Sequence, residues 1–198
     1  MITDIRVNIH QPLHFERSKT YCVRAASGIG KSSLLHFIGG FRTDYSGSIT
    51  LDGTDIRSFT ADQKSALYRS ELAYMFQDLR LFPNLTAYEN VEIVNQQTHF
   101  RSQEAIRSLF EQLGIPEKWN QPAQLLSWGQ QQRVAFIRAL CQPCSFLLLD
   151  EPISHLDDSN AQIMADIVTR EQQERQFGLI VTSLGKTLPI HYDQTVLL

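Results

Sequence analysis

The run Ala25-Ala26-Ser27-Gly28-Ile29-Gly30-Lys31-Ser32-Ser33 constrains this chain more than any other stretch. It follows a β-type run, Tyr21-Cys22-Val23. It opens an apolar segment, Leu34-Leu35-His36-Phe37-Ile38, that reads as a helix stopped by Gly39-Gly40. Strand, glycine loop and helix in that order make a phosphate-binding loop. Gly28 and Gly30 let backbone N–H groups turn onto phosphate oxygens, and the helix adds the positive end of its dipole. Lys31 then reaches the outer phosphates, and Ser32 offers a hydroxyl to Mg²⁺. The full pattern asks for glycine at the first position, where this chain has Ala25. Taken alone, the stretch also suits a plain glycine-rich turn between a strand and a helix.

Two further runs narrow the choice. Phe146-Leu147-Leu148-Leu149 ends in Asp150-Glu151-Pro152. This is the pattern of a buried parallel strand that delivers two carboxyls at its C-terminal end, where open α/β sheets bind ligands. Beside a phosphate loop, two such acids suit a metal and a reacting water. Between these elements lies Leu126-Ser127-Trp128-Gly129-Gln130-Gln131-Gln132-Arg133, which leads into Val134-Ala135-Phe136-Ile137-Arg138-Ala139-Leu140. Ser127 and Gly129 fall where that helix begins, so hydroxyl and N–H groups can hold a second anion with the helix dipole behind them.

With these three motifs the chain resembles the ATP-binding subunits of ABC transporters, whose second motif is typically Leu-Ser-Gly-Gly-Gln. Trp128 replaces one glycine of it. Tyr74-Met75-Phe76-Gln77 is similar to the family's Q-loop, and Ser154-His155-Leu156-Asp157-Asp158 to its D-loop, which crosses the dimer interface. Residues 77–91 are most similar to the lipoprotein-releasing, macrolide-efflux and cell-division ATPases.

The resemblance implies an α/β fold of the P-loop NTPase, ABC ATPase type: a mainly parallel core, an antiparallel β part and a helical subdomain. It implies a single domain over 1–198, with the core at about 1–84 and 141–198 and the subdomain at about 85–140. It further implies ATP and Mg²⁺, a head-to-tail homodimer or paralogous dimer, and membrane-spanning permease subunits. These would dock near Leu81-Phe82-Pro83 and the helical subdomain. The role of Glu151 would be general base, that of Asp150 a metal contact through water, and that of Ser32 and Gln77 direct metal contacts. Lys31 and the loop from Ala25 to Ser33 would hold the phosphates, and Ser127, Gly129 and Gln130 of the second subunit would complete the site.

A formal charge of −3 and a pI near 6.1 provide no basic field, so nucleic acid is not an expected partner. No run approaches about 18 apolar residues, and Met1-Ile2-Thr3-Asp4-Ile5-Arg6 lacks a signal-peptide pattern. The expected location is cytoplasmic, peripheral on the inner face of the cytoplasmic membrane. Cys141 and Cys144 form a Cys-x-x-Cys pair. They follow a helix instead of opening one and have no second pair for zinc, which favours packing. Alternation in Ile5-Val7-Ile9 suggests a strand, Ser46 to Ile56 a hairpin about Asp52-Gly53, and residues 61–70 a helix.

The departures bear on rate. The family stacks adenine on an aromatic upstream of the loop; here that position falls near Ile2, which suggests weak base selectivity. Arg24 stands in what should be a buried strand, with no partner evident. Trp128 either packs on an opposing loop or covers a hydrophobic edge. His155 reads as an interface or solvent-facing residue. Ser183 occupies the position of the family's γ-phosphate histidine. A serine hydroxyl is shorter and never cationic, so it reaches phosphate through a water or not at all. Slow hydrolysis is the expectation, with His155 a less favoured substitute and a nucleotide-gated binding module with little turnover the alternative.

Overall fold

The computed structural model of the chain describes residues 1–8, 12–24 and 31–198. Its strands form two sheets. β1 (Asp4–Asn8), β2 (Pro12–Glu16), β4 (Ser48–Leu51) and β5 (Thr54–Asp55) make an antiparallel sheet in the order β2-β1-β4-β5. β3 (Thr20–Arg24), β6 (Leu72–Met75), β7 (Phe146–Asp150), β8 (Gly178–Ser183) and β9 (Gln194–Leu197) make a parallel sheet in the order β6-β7-β8-β3-β9. A parallel core and a separate antiparallel part are the two sheets anticipated above.

β7 and β8 are buried along their whole length, which is why Phe146 to Leu149 shows no polar alternation. Successive side chains still point to opposite faces. Phe146 and Leu148 join one core with Ile5, Phe15, Ile49, Leu35 and Ile38. Leu147 and Leu149 join the other with Val91, Phe110, Val134, Ile137 and Met164. α1 (Lys31–Ile38) and α2 (Ala61–Ser70) serve the first core. The second is built by α3 (Ala87–Asn95), α4 (Gln103–Gln112), α5 (Trp128–Leu140) and α6 (Asp158–Arg175).

Local chemistry sets the helix boundaries. Thr60 with Gln63, Thr86 with Glu89 and Ser127 with Gln130 form reciprocal capping boxes at the starts of α2, α3 and α5. α1 ends at Ile38, and Gly40 then takes a φ of 67°. Asp52 and Gly53, at φ of 47° and 78°, make the two-residue turn that joins β4 to β5.

Two expectations are corrected. Arg24 closes β3 with its side chain exposed, although its backbone is still paired with Ser183 and Leu197 on either side. The start of the chain also holds β2, which alternation did not single out, since only Phe15 is fully buried and Leu13 is half-buried. Ile9 and the loop residues Ala25, Ala26, Ser27, Gly28, Ile29 and Gly30 lie outside the described residues. Cys141 and Cys144 pack at the junction between α5 and β7, where burial pushes their thiols up to about 12 and about 11. Among the described residues no helix is long and apolar enough to cross a membrane.

Candidate functional site

A cleft of about 450 Å³ opens where β6 and β7 end and α1 begins. Ligands of open α/β sheets bind at such carboxyl ends. Its lining brings together Ser32, Gln77, Asp150 and Glu151, four residues singled out in the sequence, and adds His36, Asp78, Trp128, Ser154 and His155.

The four are already linked. Ser32 Oγ donates to Gln77 Oε1 at 3.2 Å, and Gln77 Nε2 donates to Glu151 Oε2 at 3.3 Å. Below them, Thr182 Oγ1 donates to Asp150 Oδ1 at 2.5 Å and accepts from the Glu151 N–H at 3.1 Å. Asp150 Oδ2 is buried and has no hydrogen-bond partner among the described residues. That acceptor suits a divalent cation or the water it carries. Among the described residues no three His, Cys, Asp or Glu side chains converge into a metal cage. Ser32, Gln77 and Asp150 offer oxygen donors, the kind that hard divalent cations take.

Glu151 has a φ of 50°, in the left-handed region that non-glycine residues enter at a cost. Burial pushes its carboxyl above the usual carboxylate range, Lys31 pulls it back, Asp150 adds to the rise, and His155 lowers it. Lys31 itself is buried at the start of α1. Ser33 turns elsewhere and accepts from the Arg42 guanidinium at 3.1 Å.

At the start of α5, Ser127 Oγ accepts from the Gln130 N–H at 3.3 Å, and Gln130 Oε1 accepts from the Ser127 N–H at 2.9 Å. The serine keeps its own O–H for an anion, whereas the Gln130 carbonyl is spent on the cap. Gly129 has a steric reason to be glycine, because a Cβ there would stand 3.3 Å from the His155 carbonyl oxygen. Trp128 is 45% exposed and sets its ring against His155, centroids 5.4 Å apart. Ser183 is not brought to the cleft wall. Its hydroxyl donates to the Lys186 carbonyl at 2.9 Å, within the turn that follows β8.

Sequence reasoning missed four supports. Thr182 holds both acids. Gln132, 1% exposed, donates to the Glu151 carbonyl and to Ser154 Oγ. Arg138 donates to the carbonyls of Leu79 and Arg80 at 2.6 and 2.7 Å, bracing two consecutive residues at φ of 59° and 47° just after Gln77-Asp78. Burial lowers its guanidinium to about 10. Asn90, fully buried, bonds Phe82 in both directions and leaves the Phe82 ring 52% exposed. Polar residues inside apolar helices were the available signal for Gln132, Arg138 and Asn90.

A protein-family model described as ABC transporter matches residues 11–154. The chain belongs to the ABC transporter family. It is 34% identical over 164 residues to the lipoprotein-releasing system ATP-binding protein LolD of Buchnera aphidicola, covering 81% of this chain and 72% of that one. It is 35% identical over 181 residues to the thiamine import ATP-binding protein ThiQ of Shigella boydii, covering 88% and 75%. The macrolide export ATP-binding/permease protein MacB of Aggregatibacter actinomycetemcomitans is 34% identical over 86% of this chain, but the chain spans only 27% of its length. Among solved structures, the dimeric bacterial ABC transporter cassette MJ0796 superposes with a TM-score of 0.78 at 23% identity, covering 98% of this chain and 94% of that one. These relatives make the chain an ATP-binding cassette of a transport family, on an ABC cassette fold.

Proposed function

We propose that this chain hydrolyses ATP, slowly, as the motor subunit of a transport or extrusion complex, working as a head-to-tail dimer. The observation that carries the reading is the Ser32, Gln77 and Glu151 chain on the cleft wall, beside the unpartnered Asp150 Oδ2. Ala25 to Ser33 and Lys31 would bind the phosphates. Ser32, Gln77 and Asp150 would hold Mg²⁺, which supplies charge neutralisation on the phosphate oxygens. Glu151 takes the proton of the attacking water as its oxygen bonds the γ-phosphorus, and the electron pair of the breaking bond leaves with ADP. Ser127 and Gly129 of the second subunit would close over the γ-phosphate.

The LolD, MacB and ThiQ relatives support permease partners and a peripheral place on the inner face of the cytoplasmic membrane. Residues 85–140 and the exposed Phe82 would form the docking side, and the lipoprotein-releasing and macrolide-efflux type is the favoured system. Glu151→Gln should still bind ATP, accumulate dimer on size exclusion, and release phosphate about 10² to 10⁴ times more slowly. In the parent, the proton-accepting form appears only above the raised Glu151 pKa, so turnover should fall on the acid side at a pH above the ordinary carboxylate range. Parent-rate hydrolysis by Glu151→Gln would remove Glu151 as the base, and a parent that binds ATP but releases no phosphate would sink the reading and leave the nucleotide-gated module.

A further inference from the structure

Two histidines line the cleft, His36 on α1 and His155 four residues beyond Glu151. The His155 segment is held by α5. Gln132 Nε2 donates to the Glu151 carbonyl at 3.2 Å and to Ser154 Oγ at 3.3 Å, and Gln132 Oε1 accepts from the His155 N–H at 3.4 Å.

This arrangement holds the imidazole at its Nδ1 edge. His155 Nδ1 stands 2.9 Å from Ser154 Oγ. Ser154 Oγ accepts from the Gln132 amide and has its own hydrogen to give; when that hydrogen goes to Nδ1, the ring proton lies on Nε2. The Trp128 ring packs edgewise on the imidazole, with an interplanar angle of 64°. His155 shares the cleft wall with Glu151, Gln77 and Ser32, whereas the Ser183 hydroxyl is closed onto Lys186.

We propose that His155 is a further catalytic residue, whose Nε2–H donates a hydrogen bond to a γ-phosphoryl oxygen in the cleft of its own chain. The inference rests on the ATPase reading. The histidine keeps its proton throughout. The water proton goes to Glu151, the water oxygen bonds phosphorus, and the bridging bond breaks toward ADP. Its part is to stabilise charge that grows on the transferred group, as a fixed donor in a partly closed site.

A hydrogen bond to a charged oxygen that strengthens in the transition state is worth about 10- to 150-fold in rate. With Mg²⁺ and ATP, His155→Ala should lower kcat by that factor while KM moves less than about threefold. His155→Gln, which retains an N–H donor, should recover part of the loss, and His155→Leu none. In the Glu151→Gln background, calorimetry should show His155→Ala weakening ATP but not ADP, because only ATP carries the γ-phosphate. This readout holds even if turnover is nil.

Equal kcat in His155→Ala and the parent, or equal weakening of ATP and ADP, overturns the proposal. So does a rate loss in Ser183→Ala with none in His155→Ala. If Glu151→Gln slows phosphate release while His155→Ala does not, His155 alone is misassigned. If the parent binds ATP but releases no phosphate, the ATPase reading has failed on its own.

Discussion

Thr182→Val isolates one hydroxyl on which both acids depend. Thr182 is fully buried in β8, directly across from Asp150 in the sheet register. Valine matches its shape, so no cavity forms and the change is confined to hydrogen bonding. The Asp150 carboxyl loses its 2.5 Å donor, a bond to a charged group worth about 1.5–3 kcal/mol, and its other oxygen is already without a partner. The Glu151 N–H loses its 3.1 Å acceptor, and a buried orphan donor costs about 1–3 kcal/mol. Neither group reaches solvent easily, so the loss should sum to about 3–5 kcal/mol, a large share of the roughly 5–15 kcal/mol that holds a native protein.

Urea unfolding followed by tryptophan fluorescence is the assay. With a slope of about 2 kcal/mol/M, the midpoint should fall by roughly 2 M. Thr182→Ser retains both bonds, loses one methyl and should cost about 1 kcal/mol. Hydrolysis should suffer more than nucleotide binding in Thr182→Val, because Glu151 loses the tether that holds it at a left-handed φ. A midpoint within about 0.3 M of the parent, or equal damage from serine and valine, would refute the reasoning.

The remaining predictions concern the segment after the Q-loop. Phe82→Ala should leave folding within about 0.5 kcal/mol of the parent, since the ring is exposed. It should still lower recovery of a membrane-embedded partner in pull-down, and undiminished recovery would remove Phe82 from that surface. Arg138→Lys keeps the charge but cannot span the Leu79 and Arg80 carbonyls as a planar guanidinium does. Hydrogen exchange across residues 77–82 should accelerate about 10- to 150-fold, which matches the loss of one charged hydrogen bond. Unchanged exchange would show that Arg138 does not brace this turn.

Much of this protein was legible one segment at a time. The apolar strand ending in Asp150-Glu151, the capping residue Ser127, the Gly39-Gly40 stop and the Asp52-Gly53 turn all act over a few residues. Their chemistry is therefore written in the local order of the chain. The candidate site depended on more. Thr182 came to Asp150 through the register of two parallel strands far apart in sequence, Gln132 came to Glu151 through the packing of α5, and Arg138 reached the turn after Gln77 from inside a helix.

The two histidine-type positions show the difference most clearly. Position in the motif order pointed to Ser183, yet a serine hydroxyl takes the nearest acceptor, and the turn after β8 supplies the Lys186 carbonyl. His155 looked like a lone polar residue. It acquired a fixed ring and a place on the cleft wall only when Gln132, Ser154 and Trp128 closed around it. Local sequence determines which groups can hold phosphate and where strands and helices begin. Tertiary packing decides which polar side chains are already satisfied, and so which remain free to do chemistry.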